Sequence, residues 1–411
     1  MYDILVIGGG ASGMVAAIAA CSERKHTSVA VLERNNRVGK KILVTGNGRC
    51  NITNTDINIS RYHGNNVRFA MKALTDVEAE QTLSFFADLG MYPKVDDGKV
   101  YPNSLQASSV VDMLRMRMSQ LGIAEICDFE CTGIKSKDDI FTVTSSKGAV
   151  LKARKVIVCT GGKAAPKCGT DGSGYKLLQK FGHKLTDTHP SLVQIRCDSP
   201  YLIPMKGVKF DANVSIYSNN KFIQSEYGEL LFTDYGISGP PVFQLSRIAS
   251  VECAKGSDVY AVVDMIPELD EYEVYIQLCS RSKNVPVESF LTGMFNKLLA
   301  HQLLKSCGVV KFNTNADILT DDMLKLLAKN IKCWQFKVTG TNSWDAAQVT
   351  AGGIDTSDFN PSTMESTLVK GIYSAGEILD IDGDCGGFNL QWAWSSGILA
   401  GENCAKSLNQ P

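Results

Sequence analysis

Six residues, Tyr2 to Ile7, run apolar into Gly8-Gly9-Gly10-Ala11-Ser12-Gly13, and an alanine-rich stretch continues to Cys21. A G-x-G-x-x-G turn between a buried strand and a helix leaves few folds open to the chain. Gly8 allows the tight turn, Gly10 lets the backbone approach a pyrophosphate, and Gly13 permits close helix–strand packing. Ala11 and Ser12 open the helix, whose free N–H groups and positive dipole end suit phosphates. Ser28 to Leu32 returns to strand character, and Glu33 follows about 20 residues beyond Gly13, where a carboxylate accepts hydrogen bonds from ribose hydroxyls. This βαβ unit predicts a dinucleotide site, and FAD and NAD both use one.

Three further segments favour FAD. The first is the polar loop Gly39 to Asn54, containing Lys41, Thr45, Gly46, Arg49, Cys50 and Asn51. A cofactor extending past the pyrophosphate needs such donors along its ribityl chain, and NAD does not. The second is the strand Val156 to Val158, which ends in Thr160, Gly161 and Gly162 and suits close backbone approach. The third is the strand Gly371 to Ala375, followed by Gly376, Glu377, Asp382, Gly386, Gly387, Phe388, Asn389 and Gln391. A helix predicted over 390–407 would aim its positive end at the N1/C2 edge of a flavin, where the reduced ring is anionic.

Between these halves the pattern changes. From Leu192 to Val263 come short alternating segments, Asn213 to Tyr217 and Lys221 to Ser225 among them, as in an antiparallel sheet or small barrel. Helical periodicity is predicted over 288–307 and again over 321–329. The expected domains are 1–188 and 348–411 for an FAD-binding α/β domain, 189–268 with 331–347 for an inserted barrel, and 269–330 for a helical subdomain. The 411 residues suffice for two or three domains. With 42 basic and 43 acidic side chains, a net charge of -1 offers nucleic acid or an anionic membrane no general attraction. The thirteen cysteines form no CxxC pair and no zinc-ligand spacing, so free thiols in a cytoplasmic protein are expected, with no metal. No apolar run approaches the length of a membrane span.

Over essentially its whole length the chain resembles the YhiN/BaiN-type flavoproteins, NAD(P)/FAD-dependent oxidoreductases. The stretches that carry the likeness are GGGASG, GKKILVTGNGRCNITN, CTGG, GTDGSG, FTDYGISGP, VTAGGI and GEILDIDGDCGGFNLQWAWSSG. The resemblance implies a glutathione-reductase-like FAD-binding Rossmann domain of α/β class, with an inserted β-barrel and a small helical subdomain. It also implies that Gly8, Gly10, Ser12, Gly13, Glu33, Arg34, Lys41, Thr45, Gly46, Arg49, Cys50, Asn51, Thr160, Gly161, Gly376, Glu377, Gly387, Phe388 and Asn389 lie along FAD, with the Cys131 backbone near the adenine.

No second fingerprint for NAD(P)H is present. Gly169-Thr170-Asp171-Gly172-Ser173-Gly174 has the wrong glycine spacing and no strand before it. It resembles the Asp-Gly turn beside FAD in fumarate-reductase-like flavoproteins, which puts Asp171 with the flavin site. NAD(P)H is expected as a transient donor in a ping-pong cycle, passing a hydride through flavin N5 to a small or medium organic substrate such as an enone. Competing readings are a flavin oxidase using oxygen and a non-catalytic or RNA-associated flavoprotein. No acid or base can be assigned. Cys50, His189 and Tyr101 are the candidates, and each also has a structural reading as a packing, boundary or turn residue.

Overall fold

The computed structural model describes residues 1–409. The chain divides into two compact units, Met1–His189 with Ala347–Pro411, and Pro190–Ala346.

The first unit is built on a seven-stranded sheet. Strand β1 (Tyr2–Ile7) lies between β2 (Val29–Leu32) and β3 (Val150–Val158), all parallel, and the short strand Ala124–Ile126 extends the sheet beyond β2. The carboxyl half of β3 also pairs in parallel with β4 (Ile372–Ser374). Its amino half pairs antiparallel with Ile140–Ser145, which in turn pairs with Cys131–Lys137. The residues of β2 and β4 are buried throughout and those of β1 from Ile4 onward, as expected of parallel strands covered on both faces.

Helix α1 (Ala11–Glu23) follows β1 and is buried from Ser12 to Cys21. Its partner is α2 (Phe388–Lys406), from the far end of the chain. Gly397 and Gly401 make that contact possible. A Cβ on Gly397 would lie 2.5 Å from the Ser12 carbonyl oxygen, and one on Gly401 2.2 Å from that of Ala16. Small residues four apart let the two backbones touch. Among the described residues no helix is long and apolar enough to cross a membrane, and all thirteen cysteines are free thiols.

The second unit is a closed six-stranded barrel in the order Ile195–Asp198, Gly236–Ser238, Lys221–Phe232, Lys209–Ser218, Val259–Asp264, Trp334–Thr341. Strict alternation along Lys209–Ser218 puts Ala212, Val214 and Ile216 inside. Phe232, Phe336 and Trp334 pack together in the same core. Between Asp264 and Trp334 the helices Glu271–Ser280, Lys297–Ser306 and Asp321–Cys333 bury Leu278, Leu303 and Leu327.

The helix expected over 288–307 is a correction. Only Lys297–Ser306 is α-helical, preceded by a single 3-10 turn at Val287–Ser289. Gly293 turns the chain with φ +86°, and Asn296 then caps the helix by accepting a hydrogen bond from the Leu298 N–H. The apolar spacing continued through this break, because Phe290 and Leu291 are core residues of the turn. The second helix is longer than expected, running to Cys333 rather than Lys329.

Candidate functional site

Three chain crossings in the first unit converge at the carboxyl ends of β1, β3 and β4. Gly8 passes so near β3 that a Cβ there would lie 2.3 Å from the Cys159 carbonyl oxygen. Ser12 Oγ donates to the Ala375 carbonyl at 3.3 Å, and the Trp392 indole donates to the Gly376 carbonyl at 3.2 Å. The glycine turn after β1, the end of β4 and the start of α2 therefore form one constellation.

Its helix ends are bare. Gly10, the N-cap of α1, offers no side-chain cap, and nothing lies within 4 Å of where its Cβ would be. Gly387, the N-cap of α2, is likewise uncapped, with φ +103°. Two buried polar atoms here have no hydrogen-bond partner within the protein: Asn51 Oδ1, beside the start of α2, and Thr160 Oγ1, which lies against Gly174 just past the end of β3. Buried acceptors and hydroxyls are normally satisfied, so this cradle has the chemistry of a site that a polar ligand completes.

Glu33 directly follows β2 and is nearly fully buried. Its carboxylate accepts from the Gly9 N–H at 2.9 Å and from the Asn35 N–H and Nδ2 at 2.8 and 2.7 Å. Those three bonds fix the glycine turn and leave little of the carboxylate for a ligand. Arg34 bridges Glu130 at 2.5 Å and Asp171 at 2.8 Å, so Cys131, next to Glu130, and the 169–174 turn both lie at the Glu33 end. Cys131 is half-buried, and burial pushes its thiol up to about 11.

Burial raises the Asp171 carboxyl, but hydrogen bonds from Arg34 and Ser173 outweigh it and hold the group at about 2, below its ordinary 3.8. A depressed carboxyl stabilises the fold above its unfolded value and loses that contribution as pH falls through the folded one. Asp171→Asn is therefore expected to lower the melting temperature at neutral pH. The gap from wild type should close between about pH 4 and pH 2 in a pH series of thermal unfolding curves.

Lys41 and Glu377 form an ion pair at 2.7 Å, and Glu377 Oε1 also accepts from the Thr350 N–H at 2.9 Å. Gly162 lies against this pair, since a Cβ there would meet Thr350 Oγ1 at 2.3 Å and Glu377 Oε1 at 2.8 Å. Gly161 packs on Thr170 in the same way. The Thr45 hydroxyl donates to the Ile42 carbonyl at 2.7 Å. Gly46 lies within 3.5 Å of the Tyr101 ring, and Gly387 within 3.0 Å of Asn51 Oδ1, each measured from the Cβ position.

Several sequence candidates have internal duties. Cys50 is fully buried and its thiol is pushed up to about 12 by burial, which suits a packing residue with no thiolate to offer. Gln391 is also fully buried: it accepts from the Thr53 hydroxyl at 2.5 Å, and its amide nitrogen reaches the Val77 carbonyl and Thr82 Oγ1 at 2.8 and 2.9 Å. Asn389 clamps its own loop, bonding the Gly383 N–H and carbonyl. Asp382 is buried in a short strand paired with His63, and Gly386 accepts from Asn54 Nδ2 through its carbonyl. His189 is half-buried at the end of the unit's first segment. A cluster missed in the sequence lies beside the 382–389 loop, where His63 Nε2 is 2.8 Å and Arg61 3.6 Å from the Asp384 carboxylate. The spacing of single charged residues in a loop carried no signal for it.

Residues 2–403 match the family model described as HI0933-like protein Rossmann domain. This chain belongs to the HI0933-like family. Among its relatives, a 3-dehydro-bile acid delta(4,6)-reductase of Clostridium scindens is 38% identical over 409 residues, 99% of this chain and 100% of that protein. A ribosomal RNA dihydrouridine synthase of Haemophilus influenzae is 29% identical over 416 residues, 99% of this chain and 98% of the relative. In fold, this HI0933-like protein is similar to the open form of a flavocytochrome c3 fumarate reductase, with TM-score 0.51 and 18% identity over 100% of this chain and 79% of that one. The resemblance to YhiN/BaiN-type proteins holds, and the fold is the FAD-binding Rossmann type with an added barrel.

Proposed function

We propose that this chain binds FAD along the cradle of its first unit and uses it to saturate a carbon–carbon double bond conjugated to a carbonyl. The observation that carries the cofactor assignment is the unsatisfied buried Asn51 Oδ1 at the uncapped start of α2, together with the bare start of α1 and a second unsatisfied atom, Thr160 Oγ1, at the end of β3. Gly10, Ala11 and Ser12 would hold the pyrophosphate on the α1 amides. Glu33, Arg34 and the Cys131 backbone would border the adenosine. Lys41, Thr45, Thr160, Gly161, Gly162 and Glu377 would line the ribityl chain, and Asn51 with Gly387, Phe388 and Asn389 the ring. When bound, FAD supplies the hydride. The protein's part is to hold the cofactor, exclude water and place the positive end of α2 against the ring edge that becomes anionic.

The substrate class rests on the relatives' names. A delta(4,6)-reductase of a 3-dehydro bile acid and a dihydrouridine synthase act on different molecules, but both saturate a double bond conjugated to a carbonyl. A small or medium enone is favoured here by the higher identity to the bile acid reductase, 38% against 29%, and by the net charge of -1. The second reading, a uridine in RNA, rests on the Haemophilus relative. NAD(P)H is the donor we favour, entering the substrate cleft and leaving before the acceptor binds. The free thiols accord with action in a reducing cytoplasm.

Purified protein is expected to carry FAD and to bleach anaerobically on adding NADH or NADPH. The flavin band should return on adding a 3-oxo-delta(4,6) bile acid, with the saturated product found by mass spectrometry. Return only with uridine-containing ribosomal RNA would favour the second reading. Return with oxygen alone, giving stoichiometric peroxide, would mark an oxidase, and colourless protein unresponsive to FAD would defeat the cofactor assignment.

A further inference from the structure

Most cations named above at the cradle are neutralised. Arg34 pairs with Glu130 and Asp171, Lys41 with Glu377, and Arg61 with Asp56 and Asp384. Arg49 differs. Its Nε donates to the Gly46 carbonyl at 3.3 Å and its guanidinium lies 4.8 Å from the centre of the Tyr101 ring. Among the described residues no carboxylate pairs with it. The terminal nitrogens of a half-buried guanidinium are thus held on an aromatic platform without a counter-charge.

The backbone around Arg49 is constrained to produce this. Asn47 and Cys50 both adopt left-handed conformations, at φ +56° and +59°, which cost energy for residues other than glycine and persist where surrounding structure enforces them. Tyr101 is itself fixed in the strand Lys99–Pro102, which pairs with Thr53–Asn54, so its ring is anchored beside the turn that carries the guanidinium. The same turn carries Asn51, whose unsatisfied Oδ1 faces Gly387 at the start of α2.

We propose that Arg49, positioned by the Tyr101 ring, binds the carbonyl oxygen of the conjugated substrate and stabilises the enolate formed during its reduction. The inference rests on the proposed ene-reduction. A hydride from the reduced flavin adds at the β-carbon, the π electrons shift onto the carbonyl oxygen, and a solvent-derived proton adds at the α-carbon to restore the carbonyl. Negative charge is greatest on that oxygen midway, and a fixed guanidinium donor with no competing carboxylate is worth most there. Tyr101 is a positioning residue: its face, not its hydroxyl, is what the arrangement uses.

The test uses flavin-loaded full-length protein and two probes, 4-nitrophenolate as a planar oxyanion mimic and cyclohex-2-enone as oxidant of the dithionite-reduced flavin. Arg49→Gln should keep wild-type FAD stoichiometry, bind 4-nitrophenolate at least about tenfold more weakly, and slow reoxidation by the enone about 10²- to 10³-fold. Tyr101→Phe, which keeps the ring, should stay within about threefold of wild type, whereas Tyr101→Leu should lose about tenfold. Loss of FAD from Arg49→Gln would assign Arg49 to the cofactor and overturn the proposal. So would unchanged phenolate binding, or a Tyr101→Phe defect as large as that of Arg49→Gln. If wild-type reduced flavin is not reoxidised by any conjugated carbonyl, the ene-reduction reading fails, and phenolate binding still decides whether Arg49 takes an oxyanion.

Discussion

Gly13→Ala is expected to yield a protein that purifies without flavin and melts well below wild type. A Cβ at this position would sit 1.9 Å from the Gly8 carbonyl oxygen and 3.3 Å from the Cys159 Cβ. The first obstacle is backbone, so relief requires α1 to move off β1, and α1 is buried along nearly its whole length. Overpacking a core commonly costs 1–3 kcal/mol when side chains can adjust; with a backbone carbonyl as the nearest obstacle, about 3 kcal/mol is expected. Displacing the helix start also spoils the amide geometry offered to the pyrophosphate. Gly10→Ala is the informative companion. Gly10 has φ -84°, open to any residue, and nothing within 4 Å of its Cβ position. That variant should melt like wild type without flavin yet bind FAD at least about tenfold more weakly, a loss of about 1.4 kcal/mol. Flavin content and melting temperature together separate the two glycines. Equal FAD retention by both variants would refute this division of labour.

Gln391→Leu carries the second large effect, and it falls on stability. The side chain is fully buried among Thr53, Val77, Thr82 and Ser395, tying α2 to the segments beneath it. Leucine fills nearly the same volume but leaves the Thr53 and Thr82 hydroxyls without this partner. An unsatisfied buried group costs about 1–3 kcal/mol, so a total near 3 kcal/mol is expected, or a fall of about 10 °C in melting temperature. Flavin stoichiometry at low temperature should stay close to wild type, because the amide is spent inside the protein. A variant that keeps its melting temperature and loses FAD would instead return Gln391 to the cofactor.

The βαβ start, the return of the sheet at β4 and the final helix were legible because each pairs a buried apolar run with glycines at defined spacing. The barrel was legible from alternation. What could not be read was which way a side chain turns within an element. Gln391 follows the glycines of the 383–387 loop, yet one turn into α2 it faces inward. Glu33 was recognised, but its three bonds to Gly9 and Asn35 depend on how the turn folds back, which spacing alone does not encode. Apolar periodicity over 288–307 merged a turn with a helix, because core leucines recur at similar intervals in both. Gly397 and Gly401 were present as a small-residue pair four apart, and only their contact with α1 shows why glycine is required.

That contact has a consequence for biosynthesis. A nascent polypeptide leaves the ribosome with β1 and α1 well before α2, yet the surface that seals α1 belongs to that later segment, starting at Phe388. The barrel, continuous in sequence, has all its strands by Thr341 and can consolidate beforehand. Maturation of the first unit therefore waits for the closure of a very long loop, a slow step, and until then the apolar flank of α1 stays exposed to chaperones and to aggregation.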